Sequence, residues 1–280
     1  MAAFPLSDAE VEAFIDTAFL EDIGPGDITA ELVIPAEATL VASMNARESL
    51  VLAGLPLIKP IFQRLDPGCL VTLEAADGNK ITAGARILHI EGNARALLSA
   101  ERTALNILQH LSGIATLTRR YVDAVNGTGT TLLDTRKTIP GLRKLAKYAA
   151  RMGGATNHRM GLYDAIMIKD NHIAVAGSVE KVVRAAKRTG RSDVQVECDT
   201  LDQVREAVRV GANSLLLDNM PPAMLRQARA IVDGAIPCEA SGGVNLDTIR
   251  AIAETGVEFI SVGRLTQSAP AVDIGLDYSL

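Results

Sequence analysis

The stretch VQVECDTLDQVREAVRVGANSLLLDN, Val194–Asn219, holds the pattern on which the fold turns. A short apolar run, VQVECD, gives way to an amphipathic helical pattern, and a second apolar run, SLLLDN, follows. That is one strand, one helix and the next strand, the repeating unit of a parallel α/β sheet. Outward from it the runs TLLDTRK, AIMIKDNH, IPCEASGG and FISVGR repeat the texture. From Leu133 through Met167, Val196, Leu216 and Cys238 to Ile260 the steps are 34, 29, 20, 22 and 22 residues. Six such units in series predict a parallel sheet closed into a (β/α) barrel, although an open doubly wound sheet has the same alternation.

Each run is apolar in its body and turns polar at its C-terminal end. The end residues are Asp134 to Lys137, Lys169 to His172, Glu197, Asp218, Glu239 with Ser241 to Gly243, and Gly263 with Arg264. In parallel α/β folds those ends converge on one rim, where ligands bind. One polar residue after a strand is a turn; six at the same end predict an active site.

The first third reads as mixed α/β. Ser7 with Glu10 three residues later is a capping box ahead of an amphipathic helix, and EDIGPGDIT is a turn-rich break. TLVASMNARE, LVLAG, CLVTLEA and ARILHIEG read as short strands, with a helix from about Gly54 to Arg64 between the second and third. A long helical pattern follows from about Ala94 to Val125, with a break expected near Gly113.

The 280 residues are 48% hydrophobic and carry a formal charge of -5, enough for a large core and unfavourable for nucleic acid or an anionic membrane as main partner. Met1 to Pro5 lacks the basic start of a signal peptide, and no apolar run reaches the roughly 18 residues of a membrane span. A soluble, cytoplasmic protein is the expectation. Cys69, Cys198 and Cys238 are odd in number and lack CxxC spacing, so they read as small apolar fillers rather than a disulfide framework or a zinc site.

The rim chemistry has three parts. Ser241, Gly242 and Gly243 lie between a strand and a helix and Gly263 follows the next strand, so backbone N–H groups there can approach a phosphate. Arg136, Lys137, Arg159 and Lys169 flank strand ends, and like charges gathered there call for an anionic ligand. Arg143, Lys144 and Lys147 read instead as a solvated helix face. Glu197 and Asp218 end neighbouring strands and can hold Mg²⁺, bind sugar hydroxyls or pair with the lysines. Lys169 after so apolar a strand also suits a Schiff-base lysine. His158 and His172 can serve as acid and base or as braces.

Read together, LDTRKTIPGLRKLAKYAARMGGATNHRMGLYDAIMIKDNHI, SAERTALNILQHLSGIAT before it, and VQVECDT, LLLDNM, EASGGV and ISVGRLTQSAP after it resemble quinolinate phosphoribosyltransferases, from GDIT near Asp27 almost to the C-terminus. The resemblance implies a type II phosphoribosyltransferase fold. An N-terminal α/β sandwich domain would span 1–112, joined by the segment 270–280, and an incomplete TIM-like α/β barrel 113–269. It implies joining of quinolinate to 5-phosphoribosyl 1-pyrophosphate with Mg²⁺, giving nicotinate mononucleotide, pyrophosphate and CO₂ in NAD biosynthesis. It implies a homodimer or a higher assembly, with Arg102 donated across the interface.

By the same resemblance Arg102, Arg136, His158, Arg159 and Lys169 surround quinolinate, with Thr135 beside them and Lys137 toward the pyrophosphate. Glu197 and Asp218 bind ribose hydroxyls and Mg²⁺, directly or through water. Ser241, Gly242, Gly243, Val262 and Gly263 hold the 5′-phosphate. Lys137, Lys169, Glu197 and Asp218 would carry the catalysis.

Overall fold

A computed structural model describes residues 3–278; Met1, Ala2, Ser279 and Leu280, and with them the ends of the expected N-terminal and C-terminal segments, lie outside the described residues. The chain forms two compact units, one of residues 1–119, 144–154 and 268–280 and another of 120–143 and 155–267.

The first unit begins with α1 (Asp8–Asp22), opened by the Ser7–Glu10 capping box, and α2 (Ile28–Val33), capped by the Asp27 carboxylate on Ala30 N. β1 (Thr39–Ala46), β2 (Leu50–Val51), α3 (Leu55–Leu65), β3 (Leu70–Leu73), β4 (Lys80–Ile81) and β5 (Arg86–Asn93) follow. Pairing of β2 with β4 was not legible in sequence, since two-residue strands carry no period. Gly54, at φ +109°, turns the chain into α3, and the Asp77 carboxylate accepts Gly54 N at 2.9 Å and Leu55 N at 3.1 Å. α4 (Ala94–Val125) is a single helix of 32 residues with no break at Gly113. That glycine is there for room: a Cβ would collide with the Pro270 carbonyl.

The second unit carries the alternation. Its strands are β6 (Thr131–Leu133), β7 (Ile166–Ile168), β8 (Val194–Cys198), β9 (Ser214–Asp218), β10 (Cys238–Ser241) and β11 (Phe259–Ser261). Between β6 and β7 the chain makes α5 (Arg143–Gly153), which contributes to the first unit; α6 (Asp170–Ala176), α7 (Val179–Lys187), α8 (Leu201–Arg209), α9 (Pro222–Val232), α10 (Ile249–Ala253) and α11 (Arg264–Gln267) alternate with the remaining strands. The sheet is parallel with order β6-β11-β10-β9-β8-β7, and only a Leu133–Thr156 bridge lies near the gap between β6 and β7. This is the incomplete barrel, and it excludes the doubly wound alternative, because β6 joins β11 rather than sitting mid-sheet. The chain ends in β12 (Ile274–Tyr278), which pairs antiparallel with β1 in the sheet β12-β1-β5-β3.

α5 corrects one expectation. Lys147 is not on a solvated face: it is 1% exposed, between the buried Ala146 and Tyr148. Seven of the eleven residues of this helix are buried, which at Lys147 overrides the polar reading of the sequence. No described helix is long and apolar enough to cross a membrane.

Candidate active site

The parallel strands of the second unit bring their C-terminal ends to one edge, and the inward residues there follow from strand alternation. In β8 the outward Val194, Val196 and Cys198 are fully buried, leaving Gln195 and Glu197 to face the barrel.

Lys169, which follows β7, donates to Glu197 Oε2 at 2.7 Å; the lysine side chain is 42% exposed and the glutamate 9%. Asp218, at the end of β9, has its pKa raised by burial and then by Glu197 and Asp199, with Lys169 and Asn219 opposing. Asp199 is raised likewise by burial, Glu197 and Asp170. A concentration of carboxylates thus meets one lysine, and Asp170 and Asp199 belong to it although the sequence reading stopped at Glu197 and Asp218. Their signal was adjacency, in KD and ECD. Cys198, just behind, has its thiol pushed up to about 12, chiefly by burial.

Two arginines form the next pair. Arg159 has its pKa lowered by burial and by Arg136, so two guanidiniums are held close enough to repel. Arg159 donates to Ala165 O at 3.2 Å, and Arg136 Nε is buried without a hydrogen bond among the described residues. The two lysines have contacts of their own. Lys169 is taken by Glu197, and the Lys137 side chain lies over Gly263, where a Cβ would be 2.8 Å from its Cδ. Lys137 N donates to Thr135 Oγ1 at 3.1 Å and its carbonyl accepts from Thr266 Oγ1 at 2.7 Å, tying the loop after β6 to the start of α11.

Gly242 and Gly243 have φ of +89° and +62°, left-handed values that a residue with a Cβ rarely adopts. A Cβ on Gly242 would also strike the side chain of Asn219, and the Asn219 main-chain N–H donates to Ser241 O at 2.9 Å. The Ser241–Gly243 loop is thus shaped against the end of β9. Val262 is buried and Gly263 half-buried. Arg264 is exposed and lies near Tyr121, whose hydroxyl pKa is raised by burial with Arg264 opposing.

Two residues read as rim are not free rim groups. Glu239 is 3% exposed and turned inside the barrel, accepting from Gln195 Nε2 at 2.8 Å and facing His158 Nε2 at 3.1 Å. Asp134 is fully buried and accepts from His158 N at 2.9 Å and Asn157 Nδ2 at 2.5 Å. His172 accepts from Lys169 N at 2.9 Å through Nδ1, a brace on the first turn of α6. Arg102 belongs to the first unit, exposed on α4.

Taken together, fold and rim define an α/β-barrel enzyme built for substrates with several negative charges. Two family models cover nearly the whole chain, the quinolinate phosphoribosyl transferase N-terminal domain over residues 27–112 and its C-terminal domain over 114–277. The chain belongs to the quinolinate phosphoribosyl transferase family. It is 41% identical over 277 residues to a probable nicotinate-nucleotide pyrophosphorylase (carboxylating) of Bacillus subtilis strain 168, covering 98% of this chain and 96% of that protein. It is 42% identical over 282 residues to the nicotinate-nucleotide pyrophosphorylase (carboxylating) of Mycobacterium leprae strain TN, covering 97% and 99%. The solved nicotinate-nucleotide pyrophosphorylase of Francisella tularensis superposes with a TM-score of 0.94 at 39% identity over the full length of both chains.

Proposed function

We propose that this chain transfers the phosphoribosyl group of 5-phosphoribosyl 1-pyrophosphate to quinolinate with decarboxylation, yielding nicotinate mononucleotide, pyrophosphate and CO₂ for de novo NAD synthesis, in the cytoplasm. The observation that carries the reading is the division of the rim. Arg136 and Arg159 lie close enough to repel, and Lys169 donates to Glu197 at 2.7 Å within a group of carboxylates that includes Asp218. A dicarboxylate satisfies the first and a sugar with a departing pyrophosphate the second.

Quinolinate's carboxylates are received by Arg136, Arg159 and Lys169, with Thr135 and His158 beside them and Arg102 supplied by the partner subunit of a homodimer. Lys137 faces the pyrophosphate, and the Ser241–Gly243 loop with Val262 and Gly263 cradles the 5′-phosphate through backbone N–H groups. As the bond to pyrophosphate breaks, positive charge develops on the ribose, and Glu197 and Asp218 stabilise it. The pyridine nitrogen then forms the new bond to the anomeric carbon. The resulting pyridinium accepts the electron pair of the neighbouring C–CO₂ bond as CO₂ leaves, and a solvent proton takes the vacated carbon. The side chains' contribution is positioning and electrostatics.

Among the described residues no group of three or more histidine, cysteine or carboxylate side chains forms a ready-made metal cage. Asp218, whose pKa is raised by burial and by its neighbouring carboxylates, would with Glu197 suit Mg²⁺ bound together with the pyrophosphate and water. When bound there, Mg²⁺ would neutralise charge on the leaving group.

The reading is tested by incubating the protein with quinolinate, 5-phosphoribosyl 1-pyrophosphate and Mg²⁺ and measuring CO₂ and nicotinate mononucleotide, which should form in equal amounts; formation of neither refutes it. Arg102→Ala and Lys169→Met should each retain about 1% of wild-type turnover or less when alone. Unfolded and refolded together, they should regain about a quarter of wild-type activity, because half the dimers then hold one intact site; no recovery from a mixture that forms mixed dimers would rule out donation across the interface.

A further inference from the structure

We propose that Glu239, assisted by Gln195, is a positioning residue that holds His158 as the neutral Nε2–H tautomer, through which the main chain of Arg159 is fixed. The functional part of this inference rests on the phosphoribosyl-transfer reading; the tautomer itself does not.

The assignment comes from hydrogen-bond direction. Arg159 N donates to His158 Nδ1 at 2.7 Å, and a ring nitrogen that accepts carries no proton. The imidazole proton therefore sits on Nε2, which faces Glu239 Oε2 at 3.1 Å. The same oxygen accepts from Gln195 Nε2 at 2.8 Å, so the acceptor is itself held by β8. Burial opposes the charged form of Glu239, and its interactions with His158 first, then with Ser261 and Gln195, bring its pKa below the ordinary value. A cationic His158 would need a proton on Nδ1, placing two donors face to face at the Arg159 amide.

Around this point the segment is pinned on several sides. His158 N and Asn157 Nδ2 are held by Asp134, and His158 Nδ1 holds Arg159 N. The guanidinium of Arg159 must stand next to that of Arg136 before any anion arrives, an arrangement that opposes itself. Anchoring the backbone from which Arg159 projects offsets that tendency to move apart. His158 then acts through Arg159, and substrate charge is met by the arginines and Lys169.

Two experiments separate the tautomer from the function. In protein labelled with ¹⁵N in its four histidines, the His158 signals are identified by their loss in His158→Gln. At neutral pH we expect one protonated and one unprotonated nitrogen, with the proton on Nε2; an imidazolium or an Nδ1–H ring overturns the proposal whatever the substrate. For function, Glu239→Gln keeps an oxygen to accept from Nε2–H, whereas Glu239→Leu removes it. We expect the KM for quinolinate to stay within about threefold in the glutamine variant and to rise roughly tenfold or more in the leucine variant, with the KM for 5-phosphoribosyl 1-pyrophosphate within about twofold in both. Glutamine failing as badly as leucine overturns the acceptor role, as does leucine leaving the quinolinate KM unchanged. If the leucine variant does not fold, the glutamine kinetics and the wild-type tautomer still decide. An inactive wild type with a neutral Nε2–H His158 would reject the transferase reading and leave the tautomer standing.

Discussion

Lys169→Met removes the charge that faces Glu197 while keeping much of the aliphatic stem. An exposed ion pair is worth about 0–1 kcal/mol, and breaking a buried one costs about 3–5 kcal/mol. This pair lies between, with its lysine 42% and its glutamate 9% exposed, so a loss of about 2 kcal/mol is expected. At about 2–4 °C per kcal/mol for a chain of this size, the melting temperature should fall by roughly 5 °C. The loss should depend on pH. Lys169 pulls the Asp218 pKa down against burial and the neighbouring carboxylates, so without it that pKa rises further above the ordinary 3.8. A group whose folded pKa is raised favours folding in acid and loses that contribution as pH climbs through the folded value. The deficit of Lys169→Met should accordingly be small below pH 3.8 and grow toward neutrality. Glu197→Gln added to Lys169→Met removes the stranded carboxylate and should restore about 1 kcal/mol. Turnover of quinolinate should fall about a hundredfold in the single variant, as for loss of one preorganised charge, and should not return in the double variant. Differential scanning calorimetry across pH with a CO₂-release assay measures all of this. A melting temperature within about 1 °C of wild type at neutral pH, with unaltered turnover, would refute the placement of Lys169 among the carboxylates.

Two further outcomes follow from burial. Cys69, Cys198 and Cys238 are all buried and their thiols are pushed up in pKa, Cys198 to about 12, so a thiol reagent at neutral pH should label none of them rapidly until denaturant is added; prompt labelling of native protein would contradict the packing. Gly113→Ala forces a methyl group into the Pro270 carbonyl and should cost about 3 kcal/mol in chemical denaturation, with increased proteolysis of the segment leading to β12; wild-type stability would show that the close approach of α4 and that segment is wrong.

What the sequence determined by itself was whatever local chemistry fixes. The alternation after Leu133 gave six parallel units because strands and helices carry different hydrophobic periods, and the run from about Ala94 to Val125 gave α4, though not its continuity through Gly113. The residues at the strand ends gave the rim, since parallel strands deliver every C-terminus to one edge. Tertiary structure decided which of those polar residues meet. Glu239 looked like a rim carboxylate but turns inside to Gln195 and His158, 44 and 81 residues away in the chain, and Lys147 looked solvated but is buried. Strand pattern states that a side chain points inward, not at which level its partner waits; that depends on the stagger between neighbouring strands and on the loops after them. The neutral state of His158 is further still from sequence, since it is set by one backbone N–H whose direction exists only once the loop from Asn157 to Arg159 is tied to Asp134.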